Sequence, residues 1–120
     1  MRSKWIEYSG ARIFFQDFSN LFYNSEAVKA ELAEVQVVVT AEPAGTVLVL
    51  SDFRNTNIGR DLLPVMNTAS TATKAHVKRT AVLGISGVKR TLGDLLTQLT
   101  GQSLKYFDDE LAAKEWLTKD

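Results

Sequence analysis

Between Asp52 and Arg60 the chain sets Asp52, Arg54, Asn55, Thr56 and Asn57 within six positions, followed by Gly59 and Arg60. A carboxylate, a guanidinium, two carboxamides and a hydroxyl this close together can hold an ion, a polar ligand or a partner surface. The stretch follows a short apolar run, and ligands of open α/β sheets bind beyond the carboxyl ends of the strands. The same residues also suit an ordinary strand-to-helix connection, where Asn and Asp accept turn geometry and bond to nearby backbone.

A second group is Gly84-Ile85-Ser86-Gly87 with Lys89 and Arg90 behind it. Placed between a strand and a helix, its backbone N–H groups and the helix dipole can hold an anion, so Ser86, Gly87, Lys89 and Arg90 form a candidate anion site. A glycine bend with a serine cap is the simpler account of the same residues. The third glycine of a dinucleotide fingerprint is missing, and so is a phosphate loop with glycine-lysine-serine or threonine. Val88 stands where a nucleophile elbow needs its second glycine. His76 is the only histidine, and cysteine is absent, which leaves no recognisable zinc set. A serine hydrolase would have to join His76 and Ser86 to an acid such as Asp52, with no motif behind it. No catalytic residue, metal ligand or cofactor is assigned.

The elements that must position these groups follow from pattern. Lys4 to Tyr8 and Ala11 to Phe18, joined by Ser9-Gly10, read as a β-hairpin. Asn24 or Ser25 caps a helix whose stripe is Val28, Leu32, Val35 and Val39; the β-branched Val37-Val38-Val39-Thr40 weakens its last turn. Thr46 to Ser51 is apolar without alternation, as in a strand covered on both faces. A helix starting near Asp61 tolerates Pro64 in its first turn, and its threonine-rich continuation is expected to fray or bend. Val77 to Ile85 is a strand. Ser86 caps a helix with the stripe Val88, Leu92, Leu95 and Leu99, closed by Gly101. Ser103 to Phe107 is a strand, and Asp108 caps a last helix carrying Leu111, Trp116 and Leu117. Helices and strands alternating after a hairpin predict one α/β domain, residues 1–120, with a mixed sheet and right-handed crossovers.

His76-Val77-Lys78-Arg79, Ala81-Val82-Leu83-Gly84, Leu104-Lys105-Tyr106-Phe107-Asp108 and Ala113 to Leu117 resemble the SpoIIAA-like, or STAS-like, bacterial domains. The resemblance covers nearly the whole chain. It implies a βα superhelix, shared in outline with the Sec14 lipid-binding domains, and a regulatory or interaction role. The anti-sigma-factor antagonists of that family carry an Asp-Ser-Ser-Gly phosphoacceptor turn after the central strand. Here Asn55-Thr56-Asn57-Ile58-Gly59 occupies that place. Thr56 takes the acceptor's position as a possible phospho-switch, but the aspartate is replaced and the glycine displaced.

Composition narrows the functional classes. Fourteen basic and fourteen acidic side chains cancel, and 45% of the residues are hydrophobic; this argues against disorder and against general nucleic-acid binding. The balance is local in origin. No carboxylate occurs from Leu62 to Gly93, where Lys74, Lys78, Arg79, Lys89 and Arg90 lie, while the chain after Tyr106 is acidic. No apolar run approaches the ~20 residues of a membrane span, and no targeting segment is evident, so a cytoplasmic location is expected. Trp5, Phe14, Phe15, Phe18, Phe22 and Tyr23 crowd the first quarter; burial in the core is their usual explanation, and two or three left exposed would mark a partner or ligand surface. The leading expectation is a non-enzymatic regulatory or protein-interaction module using the 52–60 loop, with a second copy of the chain, in a homodimer, among the candidate partners. The alternatives are a domain binding a small apolar, anionic or lipid ligand, and the hydrolase.

Overall fold

The computed structural model describes residues 1–85 and 103–119. The helix expected from Ser86, with its Val88 to Leu99 stripe and Gly101, lies outside the described residues.

Lys4–Tyr8 (β1) and Ala11–Asp17 (β2) pair antiparallel with Tyr8 opposite Ala11. Ser9 and Gly10 between them both have positive φ, 53° and 81°, the turn whose twist matches that of the flanking strands. Ser25–Thr40 forms α1, and the Asn24 side chain accepts the Ala27 N–H at 3.1 Å. All four stripe residues are buried. The β-branched cluster does not shorten the helix, because burial of Val39 outweighs its modest propensity penalty.

Val47–Asp52 (β3) is buried at every position. Leu62–Thr73 forms α2. Its threonine-rich half does not stop the helix: Thr68 and Thr73 donate their hydroxyls to the carbonyls of Pro64 and Ala69 at 3.0 and 2.9 Å, which satisfies the side chains within the helix. Val77–Leu83 (β4), Leu104–Phe107 (β5) and Glu110–Thr118 (α3) complete the described elements. The cap of α3 is Asp109, one residue later than expected. Its extended backbone lets the carboxylate accept the Ala112 N–H at 3.0 Å. Of the apolar residues named on this helix Leu111 is exposed, and Ala113 and Leu117 carry the buried contact.

The strands lie in the order β1-β2-β3-β4-β5, with β2 to β5 mutually parallel. Each face of the sheet has its own apolar layer. On the front, Phe14, Val49 and Val82 pack with Val28, Leu32 and Val35 of α1 and Leu62 and Ala69 of α2. On the back, Ile13, Leu48, Leu50, Ala81 and Leu83 pack with Ala113 and Leu117 of α3. This explains the unbroken apolar run of β3, since both faces are covered; each fully buried Val or Leu contributes roughly 1.5–3 kcal/mol. Arg79 holds the end of α3 by donating to the carbonyls of Trp116 and Leu117 at 3.1 and 3.3 Å, where the helix dipole favours a cation.

Candidate functional site

Residues 18–24 leave the carboxyl end of β2, and residues 53–61 leave that of its parallel neighbour β3. Strand-like bonding continues between these loops. The N–H of Phe18 donates to the Asp52 carbonyl (2.9 Å), Asn20 N–H to Arg54 (2.8 Å) and Phe22 N–H to Asn55 (2.9 Å), while Asn57 N–H returns to Phe22 (2.6 Å). The Asn55 carboxamide donates to that of Asn20 at 2.8 Å. Thr56 closes the arrangement: its hydroxyl donates to the Phe18 carbonyl and accepts the Leu21 N–H at 3.0 Å. The two loops therefore form one bonded platform.

Three of its residues lie in the left-handed region, Asn20 (φ 57°), Phe22 (φ 52°) and Asn55 (φ 60°). Asparagine tolerates this conformation; phenylalanine does not, at a cost of about 1–3 kcal/mol. Beneath the platform Phe18 and Phe53 are buried and stacked with ring centroids 4.8 Å apart. On top, Phe22 is 60% exposed and Tyr23 83% exposed. Composition showed the aromatic crowding but not which rings face solvent, because bonds between residues more than thirty positions apart decide it.

Asp52 and Arg54 serve the loop's shape. The buried Asp52 carboxylate accepts the Arg54 backbone N–H (3.0 Å), Nε (2.9 Å) and a terminal guanidinium nitrogen (2.8 Å). Glu110 approaches the same guanidinium at 3.3 Å. The Asp52 hydrogen bonds, with the charges of Asp52 and Glu110 adding, raise the Arg54 pKa despite partial burial. Asn55, Asn57 and Arg60 are exposed, and the first two bond to the Phe22 backbone. The carbonyls of Gly59 and Arg60 accept the first N–H groups of α2.

The other sequence candidates are not brought together. His76 precedes β4 at the opposite end of the sheet, its Nδ1 2.7 Å from the Glu42 carbonyl oxygen. The full length of β3, about 20 Å at ~3.3 Å per residue, separates that end from Asp52. A triad using His76 with Asp52 as its acid is therefore not formed. Ser86, Gly87, Lys89 and Arg90 lie outside the described residues. Lys74 and Lys78 flank His76, whereas Arg79 reaches the back layer; Lys89 and Arg90, the other basic residues of the acid-free stretch, lie outside the described residues. Among the described residues no group of three or more His, Asp or Glu side chains is arranged to hold a metal, and no helix is long and apolar enough to cross a membrane.

No protein-family model matches the chain, and no curated protein matches it. A solved structure does: the crystal structure of an uncharacterised protein of the DUF3478 family with a SpoIIAA-like fold, from Shewanella loihica PV-4. The two are 12% identical, the match covers 96% of this chain and 91% of that one, and the TM-score is 0.72. At that identity the likeness is one of architecture. Its hairpin-led mixed sheet, with each parallel strand laid beside its predecessor, gives this chain the SpoIIAA-like fold.

Proposed function

We propose that the protein is a non-enzymatic interaction module that binds another protein through the platform of the two coupled loops, with Phe22 and Tyr23 as anchors. One observation carries this reading. Two neighbouring aromatic side chains stand in solvent, and one of them occupies a strained backbone conformation that the surrounding hydrogen bonds hold. Strain of this kind persists where the structure over-determines it, and it clusters at functional sites. Rigid aromatic anchors lose little entropy on binding and dominate interface energetics. Asn55 and Asn57, bonded to the Phe22 backbone, supply polar groups beside them.

In this reading Thr56 is the pin of the platform and its possible switch. A phosphoryl group would remove its hydroxyl proton from the Phe18 carbonyl and crowd the Leu21 N–H, so modification would release the loops.

The test is the double variant Phe22→Asn/Tyr23→Ser. Asparagine relieves the left-handed strain, so the variant should be as stable as the parent or up to about 1 kcal/mol more stable in urea. It should nevertheless lose at least about tenfold in affinity for a protein captured by the parent. Light scattering of both forms covers a second copy of the chain as the partner, since a parent dimer should become monomeric. Unchanged capture and unchanged mass in the double variant would sink the proposal.

A further inference from the structure

Among the described residues the front layer is not fully packed. A cavity of about 140 Å³ lies between the sheet and helices α1 and α2. Native cores rarely leave voids larger than a water molecule, and an apolar cavity of about 150 Å³ accepts benzene. Leu32 and Val35 of α1, Met66 of α2, and Phe18, Phe53 and Val82 supply its apolar wall.

The floor is not apolar throughout. Strand register sets Gln16, Ser51, Val82 and Tyr106 in one row across β2 to β5, and all four line the cavity. Gln16 and Ser51 interrupt the aromatic and aliphatic run of β2 and β3, between Phe14 and Phe18 on one strand and Val49 and Phe53 beside it, and Thr80 adds a hydroxyl from β4. Ser51 donates to the Gln16 carboxamide oxygen at 2.9 Å, and among the described residues the NH₂ of the half-buried Gln16 has no partner; since no buried side-chain nitrogen or oxygen is left unpaired, this NH₂ faces accessible space and can still donate. No charged side chain lines the cavity among the described residues.

We infer that this cavity is a binding site for a small neutral molecule, an apolar ring or short branched chain carrying one hydrogen-bond acceptor such as a carbonyl, with Gln16 donating to that acceptor. A volume close to that of a benzene-sized cavity suits a small ring better than a nucleotide or a long acyl chain, and the uncharged lining of the described residues disfavours anions. The site lies beneath the loop platform and does not depend on the platform's role.

The experiment is an amide-resolved NMR titration of the full chain with cyclohexanone, toluene and benzoate. Cyclohexanone and toluene should give saturable shifts centred on residues 49–53 and 32–36, and benzoate none. In Gln16→Leu the cyclohexanone affinity should fall about fivefold to tenfold, the loss of one hydrogen bond, while toluene affinity stays within about threefold. Ala69→Met, which fills the cavity from α2, should abolish both and melt no lower than the parent. The proposal is overturned if neither neutral probe gives localised, saturable shifts in the parent, if benzoate binds as well as they do, or if Gln16→Leu weakens both neutral probes equally. The parent titration stands alone should either variant fail to fold.

Discussion

Glu31 sits on α1 among the stripe residues, yet it is a carboxylate and it is buried. It accepts the Arg2 N–H at 3.1 Å, the Ser3 N–H at 2.9 Å and the Ser3 hydroxyl at 2.6 Å, and that hydroxyl in turn accepts the Asp17 N–H at 3.0 Å. Burial pushes its pKa up, but the Ser3 and Arg2 bonds outweigh burial and hold it below the ordinary 4.5. A folded value below the unfolded one stabilises the protein above pH ~4.5, and the gain is lost as pH falls through the folded value. Glu31→Gln should cost about 1–3 kcal/mol at pH 7 in urea denaturation. The gap to the parent should narrow as pH drops below 4.5; a gap constant to pH 3 would refute the account. Periodicity cannot reveal this residue, because its partners lie 28 and 29 positions away.

At the scale of elements, Gly84 joins the end of β4 to the loop after β3. Its φ is +83°, and a Cβ there would lie 2.4 Å from the Arg54 nitrogen and 2.7 Å from the Arg54 Cα and the Phe53 carbonyl carbon. These are backbone atoms of the loop that carries the platform, so they cannot move aside alone. Gly84→Ala combines a left-handed alanine with that overlap, and should cost about 3 kcal/mol or more. A urea midpoint matching the parent would contradict it. The elements themselves were largely legible: cap chemistry located α1, the stripe of α1 matched its burial, and the apolar run of β3 announced a doubly covered strand. The misreadings are local or long-range. Asp108 and Asp109 offer the same carboxylate, and only backbone geometry selects the second. The polar row of Gln16 and Ser51 depends on register between separate strands, and Arg79 clamps α3 across 37 positions or more; neither leaves a local pattern.

For the whole molecule, the sheet is a wall shared by two apolar layers, and each layer has its own tryptophan. Trp5 packs against the front and Trp116 against the back. Because β2, β3 and β4 contribute side chains to both layers, neither layer can melt while the other stays native. Trp5→Phe and Trp116→Phe each leave one reporter, and normalised to parent stability their fluorescence transitions in urea should coincide with that seen by circular dichroism. Separated midpoints for the two layers would refute the shared wall. Fold class was readable because alternation of element types is a global pattern. The interaction surface was not, since exposure of Phe22 and Tyr23 follows from how two loops lock together. The back layer also imposes an order in time. Leu48 and Leu50 are synthesised long before Ala113 and Leu117, and at about 5–20 residues per second the interval is several seconds. Throughout it the nascent chain carries a bare aliphatic face that α3 alone covers among the described elements, so the ribosome-bound protein presents an adhesive surface that refolding of the finished chain, with every element available at once, does not sustain.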